Sequence, residues 1–185
     1  MTKRIAIIAV VTAAALIAHL PVWPTPRALG IEQPAAAASF VDFARRARAG
    51  ESLEVVFFGA SLTWGANASD PLRTSYRAEV ARRLEREYPQ ARFRFHDAAI
   101  GGTGSQLGVF RLDRDVLARK PDLLFLDFSA NDDITSDTPE TLASYEAILR
   151  RLVAEARVPV VQVIFPFKWN VAAKSTAGMK RRDAH

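Results

Sequence analysis

The chain has 185 residues, 49% hydrophobic and 24% charged, which is the length of one ordinary domain and a composition that excludes a mostly disordered chain. It has no cysteine and three histidines (His19, His96, His185), so disulfide scaffolds, thiolate zinc sites and cysteine nucleophiles are excluded and a histidine-rich metal site is not expected. The formal charge of +5 sits at the two ends, residues 5–173 balancing 19 basic against 19 acidic side chains, so the body offers no basic stripe for nucleic acid.

Met1 to Arg4 is basic, and Ile5 to Trp23 is an apolar run interrupted by Thr12, His19 and Pro21. A basic start before an apolar stretch is the pattern of a secretory signal. The run also approaches the ~20 residues that cross a bilayer. Residues 1–23 are therefore expected to be a signal peptide or a membrane anchor through residues 5–23, with Lys3 and Arg4 on the cytoplasmic side. Either way the remainder is expected to be exported: periplasmic, secreted, or anchored on the outer face of the cytoplasmic membrane. Ala35 to Ser39 resembles a cleavage region but lies well past the apolar run, so cleavage and retention both stay open. Prolines 24, 26 and 34, Gly30 and the alanine-rich stretch make residues 24–39 a linker. The folded domain is expected over residues 40–185.

Strand-like and helix-like runs then alternate, as in a parallel sheet with crossover helices. Phe40 to Ala49 is amphipathic. Leu53 to Gly59 (LEVVFFG) is a continuous apolar run, as expected of a strand buried on both faces. Thr74 to Tyr88 spaces Tyr76, Val80, Leu84 and Tyr88 for a helix, and Arg92 to Asp97 alternates Phe93 and Phe95 with polar residues, predicting a strand nearer an edge. Leu107 to Arg119 reads as helix, Asp122 to Ser129 (DLLFLDFS) as a third strand, Pro139 to Ala156 as an amphipathic helix, and Val158 to Phe165 (VPVVQVIF) as a fourth strand. Lys174 to His185 reads as opening turns of a helix without a capping signal.

Ligands of such open sheets bind at the carboxyl ends of the strands. After the first strand comes Gly59-Ala60-Ser61-Leu62-Thr63-Trp64-Gly65, where glycine permits a tight turn that presents a hydroxyl. After the second comes Ala98 to Ser105 with Gly101, Gly102 and Gly104, whose bare backbone can offer N–H groups to a developing negative charge. After the third comes Ser129-Ala130-Asn131-Asp132-Asp133, where the Asn131 amide can aim at the same point. A nucleophile and two kinds of oxyanion donor on consecutive strand ends suit acyl transfer. Taken singly, Ser61 reads as a turn or cap serine, the glycines as a turn or phosphate cradle, Asn131 as a turn residue, and Trp64 as packing beside the site or as a face for a sugar. His96, inside the second strand, reads as a satisfied structural histidine.

In these blocks the chain resembles the GDSL, or SGNH, family of serine esterases and lipases over about residues 53 to 165. The resemblance implies a three-layer α/β/α, flavodoxin-like fold with a parallel sheet in the order 2-1-3-4-5. It assigns Ser61 of GASL as nucleophile and, through its N–H, oxyanion donor, with Gly102 and Asn131 of SAND as further donors. It implies an exported esterase that cleaves carboxylic esters through an acyl-enzyme, on small-molecule, acetylated-glycan or lipid-like substrates, with no metal or organic cofactor. Ala60 replaces the aspartate that names the family, a residue outside its triad, and Asp97 stands where an asparagine is common.

The family's late D-x-x-H block, which supplies acid and base, has no match. Asp183 and His185 are spaced D-x-H in a basic helical-looking segment, and no fifth strand follows Phe165. The expectation is that the chain stops before that strand and the catalytic histidine, and that as a fragment it is inactive, since a serine hydroxyl is a poor nucleophile without a base. The competing readings are a non-catalytic binding protein on the same fold and a nucleotide-binding module. Against the latter, the spacing of Gly102, Gly104 and Gly108 is one residue too long for the dinucleotide fingerprint.

Overall fold

The computed structural model describes residues 39–132 and 139–165. The signal or anchor expected over 1–23, the linker expected over 24–39 except Ser39, the helix expected near Lys174, and Asp183 and His185 lie outside the described residues. The elements are α1 (Phe40–Arg48), β1 (Ser52–Gly59), α2 (Ser61–Trp64), α3 (Tyr76–Glu87), β2 (Arg92–Ala99), α4 (Ser105–Asp115), β3 (Leu123–Asp127), α5 (Pro139–Arg151) and β4 (Val160–Gln162). None of the helices among the described residues is long and apolar enough to cross a membrane.

The four strands are parallel, in the order β2-β1-β3-β4. β1 is central because Val55, Val56, Phe57 and Phe58 are all fully buried, which only a sheet covered on both faces can satisfy. On one face Val55, Phe57, Leu123 and Phe125 pack with Phe43 and Ala47 of α1 and with Tyr76, Val80 and Leu84 of α3. On the other, Val56, Phe58, Leu124 and Leu126 pack with Leu112 of α4 and with Tyr145 and Ile148 of α5. Three layers result, α1 and α3 below the sheet and α4 and α5 above it. Stacked Phe57 and Phe125, 5.0 Å apart, and edge-to-face Phe58 and Phe128, 5.3 Å apart, mark the centres of the two half-cores.

Helix starts follow the expected chemistry. Ser39 Oγ accepts the Asp42 N–H at 3.1 Å to open α1, and Ser75 Oγ accepts the Ala78 N–H at 3.2 Å to open α3. β2 runs on to Ala99, two residues past its expected end, and lies at an edge of the sheet as its alternating pattern predicts. β4 is shorter than expected, Val160–Gln162 instead of Val158 to Phe165. Pro159 has no N–H for a ladder, the Val158 N–H turns back to Leu152 O at 3.4 Å, and the Phe165 N–H goes to Ser129 Oγ at 3.0 Å.

In register, Gly59 lies opposite Ala99 on one side and Asp127 on the other. The carboxyl ends of β2, β1 and β3 are therefore level, and the loops that leave them open onto one rim.

Candidate active site

Ser61 follows the tight turn expected after Gly59, and the turn leads into a helix rather than a loop. Ser61 is half-buried and begins the one-turn helix α2, with Ala60 extended before it (φ −107°, ψ −153°). At a helix start the first N–H groups have no partner within the helix and point outward along the chain's entry. The turn is tight because a Cβ on Gly59 would stand 2.3 Å from Asp127 O and 2.5 Å from Thr63 Oγ1, so no other residue fits. Arg77 of α3 secures the far end of α2, donating from Nε to Thr63 O at 3.2 Å and from Nη2 to Trp64 O at 3.0 Å, and pairing with Asp97 at 3.0 Å.

Below Ser61 lies a polar network that the sequence reading did not single out. Asp127, the last residue of β3, is fully buried. Its Oδ2 accepts from Thr63 Oγ1 at 3.1 Å, and its Oδ1 accepts from the Ser129 N–H at 3.0 Å and the Ser129 hydroxyl at 2.9 Å. Since Thr63 donates to Asp127, the Tyr76 hydroxyl 3.0 Å away donates to Thr63. Ser129 Oγ in turn accepts the Phe165 N–H. One carboxylate thus binds α2, the loop after β3 and the chain after β4. Burial pushes the Asp127 carboxyl above its ordinary value, against the hydrogen bonds from Ser129 and Thr63.

The loop after β2 passes directly beside the serine, since a Cβ on Gly101 would stand 3.8 Å from Ser61 Cβ. Gly102 adopts the left-handed φ of +71°, and the space around it is open, so its glycine serves the backbone conformation alone. The same loop meets the one after β3. Gly104 is the N-cap of α4 and has no side chain with which to cap, so Asp132 Oδ1 accepts the Ser105 N–H at 2.6 Å from across the rim. A Cβ on Gly104 would be 2.5 Å from that oxygen and 3.7 Å from Asn131 O. Asp132 is buried and Asn131, its neighbour, is exposed at the rim. Burial raises the Asp132 carboxyl too, opposed by its bonds to Ser105.

The structure therefore brings the GASL, glycine-rich and SAND segments together, with Ser61, Gly102 and Asn131 on one rim. Thr63, Asp127 and Asp132, whose hydrogen bonds hold that rim, are supports that sequence reasoning missed. Asp132 adjoins Asn131 in the SAND block; Asp127 is one acid in an otherwise apolar strand. Trp64 is half exposed and stands three residues after Ser61 on α2. His96, the one histidine among the described residues, is satisfied elsewhere. Its Nδ1 accepts from Arg119 Nη1 at 3.1 Å, so its Nε2–H donates to Glu54 Oε2 at 2.5 Å. Among the described residues no cluster of three His, Asp or Glu side chains could hold a metal ion.

A parallel sheet in the order β2-β1-β3-β4, covered by helices on both faces and with a serine at the start of a short helix between a glycine loop and an asparagine, is a three-layer α/β/α architecture of the flavodoxin type. The sequence profile of the GDSL-like lipase/acylhydrolase family matches residues 57–184, and the chain belongs to that family. Among solved structures, a two-domain esterase (CEX) active on acetylated mannans, co-crystallised with mannopentaose, is similar at 34% identity and TM-score 0.64. The match covers 75% of this chain and 36% of that one, so the chain spans little more than a third of that esterase. Axe2, an acetylxylan esterase from Geobacillus stearothermophilus, is similar at 26% identity and TM-score 0.54 over 71% of this chain and 68% of its own. The acetyl xylan esterase AlAXEase shares the fold at 19% identity, TM-score 0.54, over 71% and 70%. No curated protein matches the chain significantly.

Proposed function

We propose that the chain carries the nucleophile and oxyanion donors of an exported serine esterase that removes acetyl groups from glycans. The observation that carries the reading is the closeness of the Gly101 backbone to Ser61, where a Cβ placed on the glycine would stand 3.8 Å from the serine's own Cβ, at the level where three strands end. Ser61 Oγ attacks the ester carbonyl and gives its proton to a base, the alkoxy group leaves as the sugar alcohol, and water then hydrolyses the acetyl-serine to acetate. Ser61 N–H, Gly102 N–H and the Asn131 side-chain amide receive the negative charge that develops on the carbonyl oxygen. The family resemblance assigns the base to a D-x-x-H block.

The substrate class draws support from the two acetyl-glycan esterases of similar fold at 34% and 26% identity. Half-exposed Trp64, beside Ser61, offers an apolar face of the kind that sugar rings stack on. Export rests on the basic start and the apolar run Ile5 to Trp23, with the domain at 40–185 carried beyond the membrane.

The test is hydrolysis of p-nitrophenyl acetate and release of acetate from acetylated manno- and xylo-oligosaccharides by the intact protein and by Ser61→Ala. Ser61→Ala is expected to abolish both; a variant that keeps most of its turnover would refute the nucleophile. Binding of the oligosaccharide without turnover in the parent would favour a non-catalytic module. Recovery of the protein from the cytoplasm on cell fractionation would overturn export.

A further inference from the structure

The most deeply buried cation among the described residues lies under the rim and touches none of the proposed reacting groups. Arg111, on α4, has a side chain 4% exposed. Its guanidinium carbon stands 4.4 Å from the ring centre of Phe58 and 5.8 Å from that of Phe128. Nη1 donates to Ala98 O at 2.6 Å and to Asp115 Oδ2 at 3.1 Å, while Nη2 donates to Gly59 O at 2.9 Å. Taking a charge out of water is costly, and an apolar side chain of similar size would often serve the core as well. Burial indeed draws the guanidinium below its ordinary basicity, and Asp115 opposes this.

What a hydrocarbon could not do is hold two backbone carbonyls at once. Those carbonyls belong to adjacent strands, at the points where each gives way to a site loop. The Gly59–Ala60 peptide is gripped at both ends. Its N–H donates to Asp127 O at 3.1 Å, and its carbonyl accepts from the Ile100 N–H at 3.1 Å and from Arg111. The next peptide along carries the Ser61 N–H. Ala98 stands three residues before Gly101, which passes Ser61. The planar fork of arginine reaches both oxygens in fixed geometry, whereas a lysine ammonium is a single point. The first N–H of the same helix, on Ser105, is already tied to the SAND loop by Asp132.

We propose that Arg111 is a positioning residue of the esterase site: through the carbonyls of Gly59 and Ala98 it fixes the peptide planes that aim the Ser61 and Gly102 N–H groups at the oxyanion. The proposal rests on the esterase reading above. It makes α4 the strut on which all three site segments hang, with the donors oriented before substrate arrives.

The experiment compares Arg111→Met, which keeps an apolar stem over Phe58 and Phe128, with Arg111→Lys in the intact protein, by ester hydrolysis per folded molecule and by amide hydrogen exchange. In Arg111→Met, kcat is expected to fall ~10- to 100-fold with KM within about twofold, because transition-state rather than ground-state contacts are lost. Exchange is expected to quicken in residues 59–62 and 98–102 and to stay unchanged in β3. Arg111→Lys is expected to recover part of the rate, and guanidinium ion to restore turnover in Arg111→Ala. An unchanged kcat per folded molecule, or a loosening spread over the whole sheet, would overturn the proposal. Should Arg111→Met not fold, Arg111→Lys carries the same comparison. If Ser61→Ala proved as active as the parent, the esterase reading would fall, yet exchange confined to the two loops would still support the positioning role and unaltered exchange would still refute it.

Discussion

At the amino end of the sheet, charged side chains mostly meet one another: Glu54 lies against Arg94 and His96, and Arg46 against Asp122 and Glu51. At the carboxyl end they meet the backbone. Asp127 holds the Ser129 N–H, Asp132 the Ser105 N–H, and Arg111 the carbonyls of Gly59 and Ala98. The first arrangement is partly wet; the second is buried. An ion pair near water is worth at most about 1 kcal/mol and leaves the chain's path to the strands themselves. A buried charge bonded to peptide groups gives up its hydration, and what it gains is loops held in one conformation. That difference separates the end of the sheet that only has to exist from the end that has to aim.

The contrast would be broken most directly at Asp127. Asp127→Ala strands the Thr63 hydroxyl and both Ser129 donors away from water, so unfolding in urea is expected to need roughly 3 kcal/mol less, with loss of turnover. A variant within about 0.5 kcal/mol of the parent would mean that the buried network is dispensable. Asn131→Ala sharpens the comparison from the other side. The residue is exposed, so stability is expected to hold while turnover drops ~10²–10³-fold through the missing oxyanion donor. Unaltered turnover would make Asn131 a turn residue and nothing more.

The smallest effect is expected at Glu54, and its dependence on pH has the opposite sign to that of the buried acids. Burial alone would raise the Glu54 carboxyl, but the hydrogen bonds from His96 and Arg94 outweigh it and hold it below its ordinary 4.5. Its contribution is therefore present above that value and lost as pH falls through the folded value. Asp127 and Asp132 are raised above 3.8, so the folded state keeps their protons longer than the unfolded chain does. Their contribution is full below 3.8 and declines as pH rises through the folded values. Melting temperature followed against pH is expected to lose part of its acid-side slope in Glu54→Gln, and part of the opposite slope in Asp127→Asn. Glu54→Gln is expected to cost less than about 1 kcal/mol near neutral pH and to leave turnover alone. Identical profiles for the two variants would erase the distinction between the ends.

Much of the fold was legible because burial on both faces leaves a simple trace: LEVVFFG and DLLFLDF admit little except interior strands, and their neighbours follow from the alternation of helix and strand. The loops that carry Ser61, Gly102 and Asn131 were legible as strand ends because each follows an apolar or alternating run in a short recognisable block. The supports were not. Arg111 is 5% exposed and Phe110 beside it 85%, the reverse of what hydropathy assigns, because the inward position of α4 sits under two carbonyls that need donors. The cap of α4 comes from Asp132, 27 residues downstream, so no local pattern announces it. The shortened β4 reflects a contest for backbone hydrogens that the Ser129 side chain wins at Phe165.

The grip on the Gly59–Ala60 peptide also bears on how portable the turn that carries Ser61 is. Its N–H answers to β3, its carbonyl to β2 and to a guanidinium on the helix that follows β2, and Gly59 itself has no room for a Cβ beneath Asp127 O. A seven-residue graft of GASLTWG onto another parallel sheet would therefore carry the serine without its bearings. A transplant with a chance of working has to include Asp127, Arg111 and Gly104 as well, so the smallest unit that can be moved between scaffolds is three strands and a helix rather than a loop.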